Sequence, residues 1–245
     1  MQFYLAAGAG DALPRGRFCP VRAAYRLGAR LLSAVGNTAV QGGLILVGDS
    51  RECGPDDVLA RDILRECLRR NYDGVVLDWY HNGPDRGTLT ALMGQLCLQY
   101  DRRLFVPERY AAHAPRATVL LNTAVSGGTL HSCLSEGVRR FGAERLALDL
   151  ERLRLDFVLP MSTNVRRPLT ATELRQLREG KSVYFSEELC ARFFTYRTGS
   201  ESHYVLFDDA QTLRKKAALA ENMGIREGFF MLPEVSDIEG ELLGT

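Results

Sequence analysis

Long hydrophobic runs are missing from this sequence. No apolar stretch approaches the ~20 residues that span a bilayer, so no transmembrane helix is expected. An excess of charge is missing too. Lys+Arg total 31 and Asp+Glu total 30, a formal net charge of +1. The basic residues form no stripe interleaved with aromatics, so no nucleic-acid partner is expected. Lysine occurs only at positions 181, 215 and 216, and arginine supplies nearly all of the positive charge. Cysteines stand at 19, 53, 67, 97, 133 and 190, with no C-x-x-C pair. That spacing argues against a disulfide framework or a zinc site and for reduced thiols. The histidines at 81, 113, 131 and 203 lack metal-ligand spacing, so neither a metal nor a cofactor is expected. The segment Met1-Gln-Phe-Tyr-Leu-Ala-Ala7 has no basic n-region and reads as a strand rather than a signal peptide. A cytoplasmic location is therefore expected.

What is present is an alternation of strand-like and helix-like segments over 245 residues. Strands are expected at 3–7, 44–47, 75–79, 104–106, 118–121, 146–150 and 229–232. Val21, Ala24, Tyr25, Gly28, Leu31, Leu32 and Val35 recur at helical spacing and predict a helix. Pro55 with Asp56 and Asp57 opens another, with Leu59, Ile63, Leu64, Cys67 and Leu68 on its apolar face. Thr88 can cap a third, whose stripe runs through Leu89, Leu92, Met93, Leu96, Cys97 and Tyr100. Ser126-Gly-Gly-Thr129 leads into a fourth. Thr170-x-x-Glu173 is a capping-box signature, and Asp208-Asp209 opens a helix that ends near Gly224. Residues 192–196 and 203–207 flank a turn and predict a β-hairpin. Repeated βα units of this kind predict a single domain, residues 1–245. The fold class is α/β, a compact (β/α)8 TIM barrel with a small hairpin insertion at about 190–208, before the last helix and strand. The second barrel strand has no clear place in the pattern.

The most informative stretch is Asn71-Tyr-Asp-Gly-Val-Val-Leu-Asp-Trp-Tyr80. It reads as a buried parallel strand that ends in polar groups, before a break at His81-Asn-Gly-Pro84. Side chains at the carboxyl end of a barrel strand point into the active-site mouth. Asp78 and Tyr80, two residues apart, share a face there.

The segment from Tyr72 to Tyr80 resembles the D-G-x-D-x-D-x-E strand of family-18 glycoside hydrolases, the chitinase-like barrels. A second block agrees in order and separation: Phe193-Phe-Thr-Tyr-Arg197, His203 to Lys216, and Gly224 to Leu232. It is most similar to the branch of spore-forming bacteria that acts on spore-cortex peptidoglycan. The resemblance covers about residues 40 to 237 and implies substrate-assisted glycoside cleavage. In that reaction the final Glu of the strand protonates the glycosidic oxygen. The Asp two residues earlier orients the substrate's acetamido group, whose carbonyl attacks the anomeric carbon. Matched residue by residue, the family's first Asp is Asp73, its middle Asp is Val76, its acetamido-orienting Asp is Asp78, and its acid Glu is Tyr80.

A phenol titrates near ~10 and is a poor general acid at neutral pH. Other departures accompany it. Leu121-Asn-Thr-Ala124 lacks the Tyr-Asp pair that helps hold the acetamido group, and Leu232 stands where the family usually has a Trp floor. Whether the chain is an enzyme is thus left open by its sequence. The first expectation is a non-catalytic or impaired barrel that binds an amino-sugar glycan such as a peptidoglycan fragment, or a protein partner. Asp78, Tyr80, His81 and Phe230 are its candidate binding residues. The second is an active glycosidase whose acid has moved to Glu108 or Glu234, each just after an apolar-Pro strand end, with Asp78 as the third catalytic candidate. The third is a structural or assembly protein without a ligand pocket, its mouth filled by Tyr80, Phe230 and loop side chains. Spore association is expected from the resemblance alone.

Overall fold

The computed structural model describes residues 1–12, 17–34, 42–79, 84–159 and 166–242. Eight parallel strands close into a barrel: β1 (Gln2–Gly8), β2 (Phe18–Arg26), β4 (Leu44–Gly48), β5 (Gly74–Asp78), β6 (Arg103–Pro107), β7 (Thr118–Asn122), β8 (Leu146–Asp149) and β14 (Glu227–Met231). Closure is through β1, which pairs in parallel with both β2 and β14. A short β3 (Leu32–Ser33) runs antiparallel to the end of β2. The helices are α1 (Asp56–Arg69), α2 (Gly87–Gln99), α3 (Leu130–Phe141), α4 (Ala171–Arg178), α5 (Ala210–Asn222), α6 (Leu232–Val235) and α7 (Glu239–Leu242). None of the described helices is long and apolar enough to cross a membrane.

Alternation along each strand decides what lies inside. Tyr4, Ala6, Val21, Leu44, Leu46, Val76, Phe105, Ala147 and Phe229 fill the barrel. Their neighbours Val75, Leu77, Leu104 and Val106 pack outward with α1 and α2. Leu5, Val119, Leu121, Leu146, Leu148 and Phe230 pack outward in a second cluster with α3 and α5. Because the strands are buried on both faces, the sequence reads as apolar runs rather than a polar–apolar alternation.

The predicted helix from Val21 is instead strand β2. A β-bulge between Arg22 and Tyr25 shifts its register against β4. Val21 therefore joins the barrel interior while Ala24 and Tyr25 both join the outer cluster. The extra residue makes a strand imitate helical spacing. Thr88 is not a cap; it lies within α2, and the Gly87 amide donates instead to the Asp85 carboxylate at 3.0 Å.

The hairpin is present as β12 (Ala191–Thr198) and β13 (Glu201–Phe207), but it belongs to a larger insertion. With β9 (Arg154–Val158), β10 (Arg166–Pro168) and β11 (Tyr184–Ser186) it forms a five-stranded antiparallel sheet in the order β10-β9-β13-β12-β11. The Thr170–Glu173 capping box is formed as predicted, and Asp209 makes a second one with Thr212.

The insertion is anchored to the barrel by a buried ion pair. Asp208 accepts from Lys216 Nζ at 2.7 Å, from Thr212 Oγ1 at 2.7 Å and from the Leu153 amide at 3.0 Å. Lys216 donates a second bond to the Thr123 carbonyl at 3.1 Å, and both charged side chains are fully buried. Lys216 therefore ties α5 to the end of β7.

Candidate functional site at the barrel mouth

Asp78 follows Val76 on the inner face of β5, and Asp149 follows Ala147 on the inner face of β8. One residue pair higher than the apolar filling, the barrel interior turns acidic. A cavity of about 400 Å³ opens there, lined by Asp78, Asp149, Glu151 and Glu234 above Ala6, Leu46, Val76, Leu120, Phe229 and Met231. Among the described residues no Lys or Arg lines it. Asn122, at the end of β7, donates its amide to Asp149 Oδ2 at 3.1 Å and to Glu151 Oε2 at 2.7 Å.

Like charges without a lining cation favour the protonated forms. Burial, then the charges of Glu151, Glu234 and Asp78, push the Asp149 carboxyl up to about 7, against which the Asn122 amide works. Burial also raises the pKa of Asp78, followed by the charges of Asp49 and Glu151. Asp78 nevertheless keeps its opening to solvent through the cavity. Glu234 is raised by burial first; the Arg152 amide, donating to Glu234 Oε2 at 3.2 Å, opposes that rise. Beside the mouth, just past the end of β4, Asp49 is buried and accepts from Arg86 Nε at 2.9 Å, while its Oδ2 has no hydrogen-bond partner among the described residues.

The structure brings Asp78 and Glu234 to one cavity. Glu108 is not among its lining residues; it is half-exposed and ion-paired with Arg140 of α3. Phe230 borders the cavity, but its ring is turned outward, 5.5 Å from the Phe3 ring and 6.2 Å from that of Phe18. At 3% exposure it offers no face for a sugar to stack on and does not fill the mouth. Tyr80 and His81 lie outside the described residues.

Sequence reasoning missed Asp149 and Glu151. The signal was Leu146-Ala-Leu-Asp-Leu-Glu151, a second apolar strand that, like the one at Asp78, ends in an acid, here with another two residues on. Asn122 was legible only as a family departure.

No protein-family model matches the sequence, and no curated protein does. Solved structures do match. The spore cortex-lytic enzyme SleL of Bacillus megaterium aligns with a TM-score of 0.67 at 13% identity, over 95% of this chain and 71% of that one. A chitinase from Chromobacterium violaceum gives 0.66 at 12% identity, over 99% of each chain. Human YKL-39, described as a pseudo-chitinase with retained chitooligosaccharide binding, gives 0.62 at 9% identity, over 91% of this chain and 86% of that one. The architecture is thus that of the chitinase-like family-18 barrels. At such identities the likeness is one of fold, and a fold does not fix a chemistry.

Proposed function

We propose that this protein binds an amino-sugar glycan, chitin-like or from peptidoglycan, at the mouth of its barrel, and that the cleavage reaction of the chitinase-like barrels is impaired. The observation that carries this reading is the joint placement of Asp78, Asp149, Glu151 and Glu234 around one cavity at the carboxyl ends of the strands. Its volume of about 400 Å³ falls in the range of small-ligand sites. Ionised carboxylates only accept hydrogen bonds, and a protonated carboxyl still accepts through its other oxygen. They therefore suit a ligand rich in O–H and N–H donors, which an amino sugar is. The structures it resembles act on or bind such glycans by their descriptions: one is spore cortex-lytic and one retains chitooligosaccharide binding.

Impairment rests on the sequence, where a phenol at position 80 replaces the acid implied by the resemblance. The test is calorimetric titration with N-acetylglucosamine oligomers and with peptidoglycan fragments. Saturable binding, weakened at least about tenfold by Asp78→Ala, is expected, since a hydrogen bond to a charged group contributes ~1.5–3 kcal/mol. Absence of binding to every glycan sinks the proposal. Release of reducing ends from an unactivated polymer sinks the impairment alone.

A second reading has its own observation. Glu234 and Asp149 are carboxyl groups with raised pKa in the same cavity as Asp78, which is what a general acid requires. If unactivated glycan is cleaved, loss of turnover in Glu234→Gln or Asp149→Asn assigns the acid; turnover kept in both removes this reading.

A further inference from the structure

In a complete (β/α)8 barrel each strand is followed by a helix of the outer ring. Between β6 and β7 this chain has no α-helix. Residues 108–117 make one 3-10 turn, Glu108–Tyr110, and then tight turns that lead straight into Thr118. The place beside α2 is consequently underfilled. A cavity of about 450 Å³ opens there, bounded by Ala91, Gly94, Cys97 and Leu98 of α2 and by Leu104, Ala114 and Ala117 opposite. Its concavity comes from small side chains where two ring helices would ordinarily interlock. Leu98 beside it is 55% exposed.

The charges at this cavity are of one sign. Arg102, Arg103 and Arg116 line it, and among the described residues no carboxylate does. Arg103 is already engaged by Glu227 at 2.6 Å and by the Tyr4 hydroxyl at 2.7 Å. Among the described residues Arg102 donates only to the Asp101 carbonyl, at 3.0 Å, and its buried Nε has no partner. Neither Arg102 nor Arg116 makes an ion pair among the described residues. A buried donor left without a partner is destabilising, the more so when it is charged. An apolar slot with two unanswered guanidinium groups at its edge matches a ligand with an apolar body and one carboxylate.

We infer that this cavity is a second binding site, independent of the barrel mouth, for a small amphiphilic carboxylate of the fatty-acid class. The aliphatic body lies along Leu98, Leu104 and the alanines, and the carboxylate meets Arg102 and Arg116.

The probe is sodium decanoate, kept below its micellar concentration and titrated calorimetrically into the whole chain. Decyltrimethylammonium, of the same chain length and opposite charge, is the control. Saturable one-to-one binding of decanoate and none of the cation is expected. Arg116→Glu should weaken decanoate roughly tenfold or more. Arg116 is exposed, so the variant tests charge with little risk to folding. Ala91→Leu keeps every charge, suits a helix and fills the slot, and should weaken binding likewise. Equal affinity for the two amphiphiles, or decanoate binding unmoved in both folded variants, overturns the inference. So does the absence of decanoate binding where an acidic, leucine-rich peptide binds, since that would give the surface to a protein partner.

Discussion

The side-chain amide of Asn122 donates to Asp149 at 3.1 Å, and it is the only neutral donor holding that carboxyl among the described contacts of the cavity. It favours the charged form while burial and three other carboxyl groups oppose it. Asn122→Leu keeps the volume and removes the donor. The Asp149 pKa should then rise above its value of about 7, as read by carboxyl carbon chemical shifts against pH. A pKa unchanged or lowered would show that the amide plays no such part.

Asp149 also gives stability a pH dependence of a definite sign. Its ordinary value is 3.8 and its folded value about 7, so across that window the folded state keeps a proton that the unfolded state has lost. The contribution is fully present below about pH 4 and fades as pH rises toward 7. Asp149→Asn removes the titration. Urea unfolding should show the variant more stable than the parent at pH 8, on the order of 1–3 kcal/mol, and equal to it near pH 4. A variant less stable at pH 8 would contradict the assignment.

Glu234 and Glu108 should separate cleanly. Glu234→Gln alters a group in the acidic cavity, so its effect on glycan affinity should depend on pH, growing as the carboxyl ionises. Glu108→Gln breaks a half-exposed ion pair with Arg140, for which a loss of about 0–1 kcal/mol in stability is expected and affinity should stay within about twofold. Paired titrations at pH 5 and pH 8 decide the matter. An equal response of the two variants would detach the binding site from this cavity.

Lys216 and Asp208 are fully buried, and removing one partner strands the other. Lys216→Met should cost about 3–5 kcal/mol in chemical denaturation. Lys216→Met combined with Asp208→Asn should cost less than the sum of the singles, because neither variant side chain then leaves a bare charge. Additive losses would mean the two do not act as a pair.

The barrel was legible because doubly buried strands write themselves as short apolar runs, and Leu44–Val47, Val75–Leu77 and Leu104–Val106 do so. β2 was not, since its bulge turns Val21 and Tyr25 to opposite sides at a helix-like separation of four. The insertion was half legible. Its hairpin is seven to eight residues per strand and carries aromatic and β-branched residues, whereas β9, β10 and β11 are only three to five residues long, too short to show a period. Within the site, Asp78 was accessible from strand-end logic and Glu234 from its place after Pro233. Glu108 obeyed the same rule and lies elsewhere, because the chain turns outward at the 3-10 turn after β6. Position along a strand can be read from sequence; the direction of the loop that follows cannot.

One carboxylate touches both ends of the long excursion between β8 and α5: Asp208, just past β13, receives the amide of Leu153, just before β9. The sheet is thereby pinched off at its root. Strands beyond that clasp can lengthen, shorten or change their outer faces while the barrel beneath keeps its register.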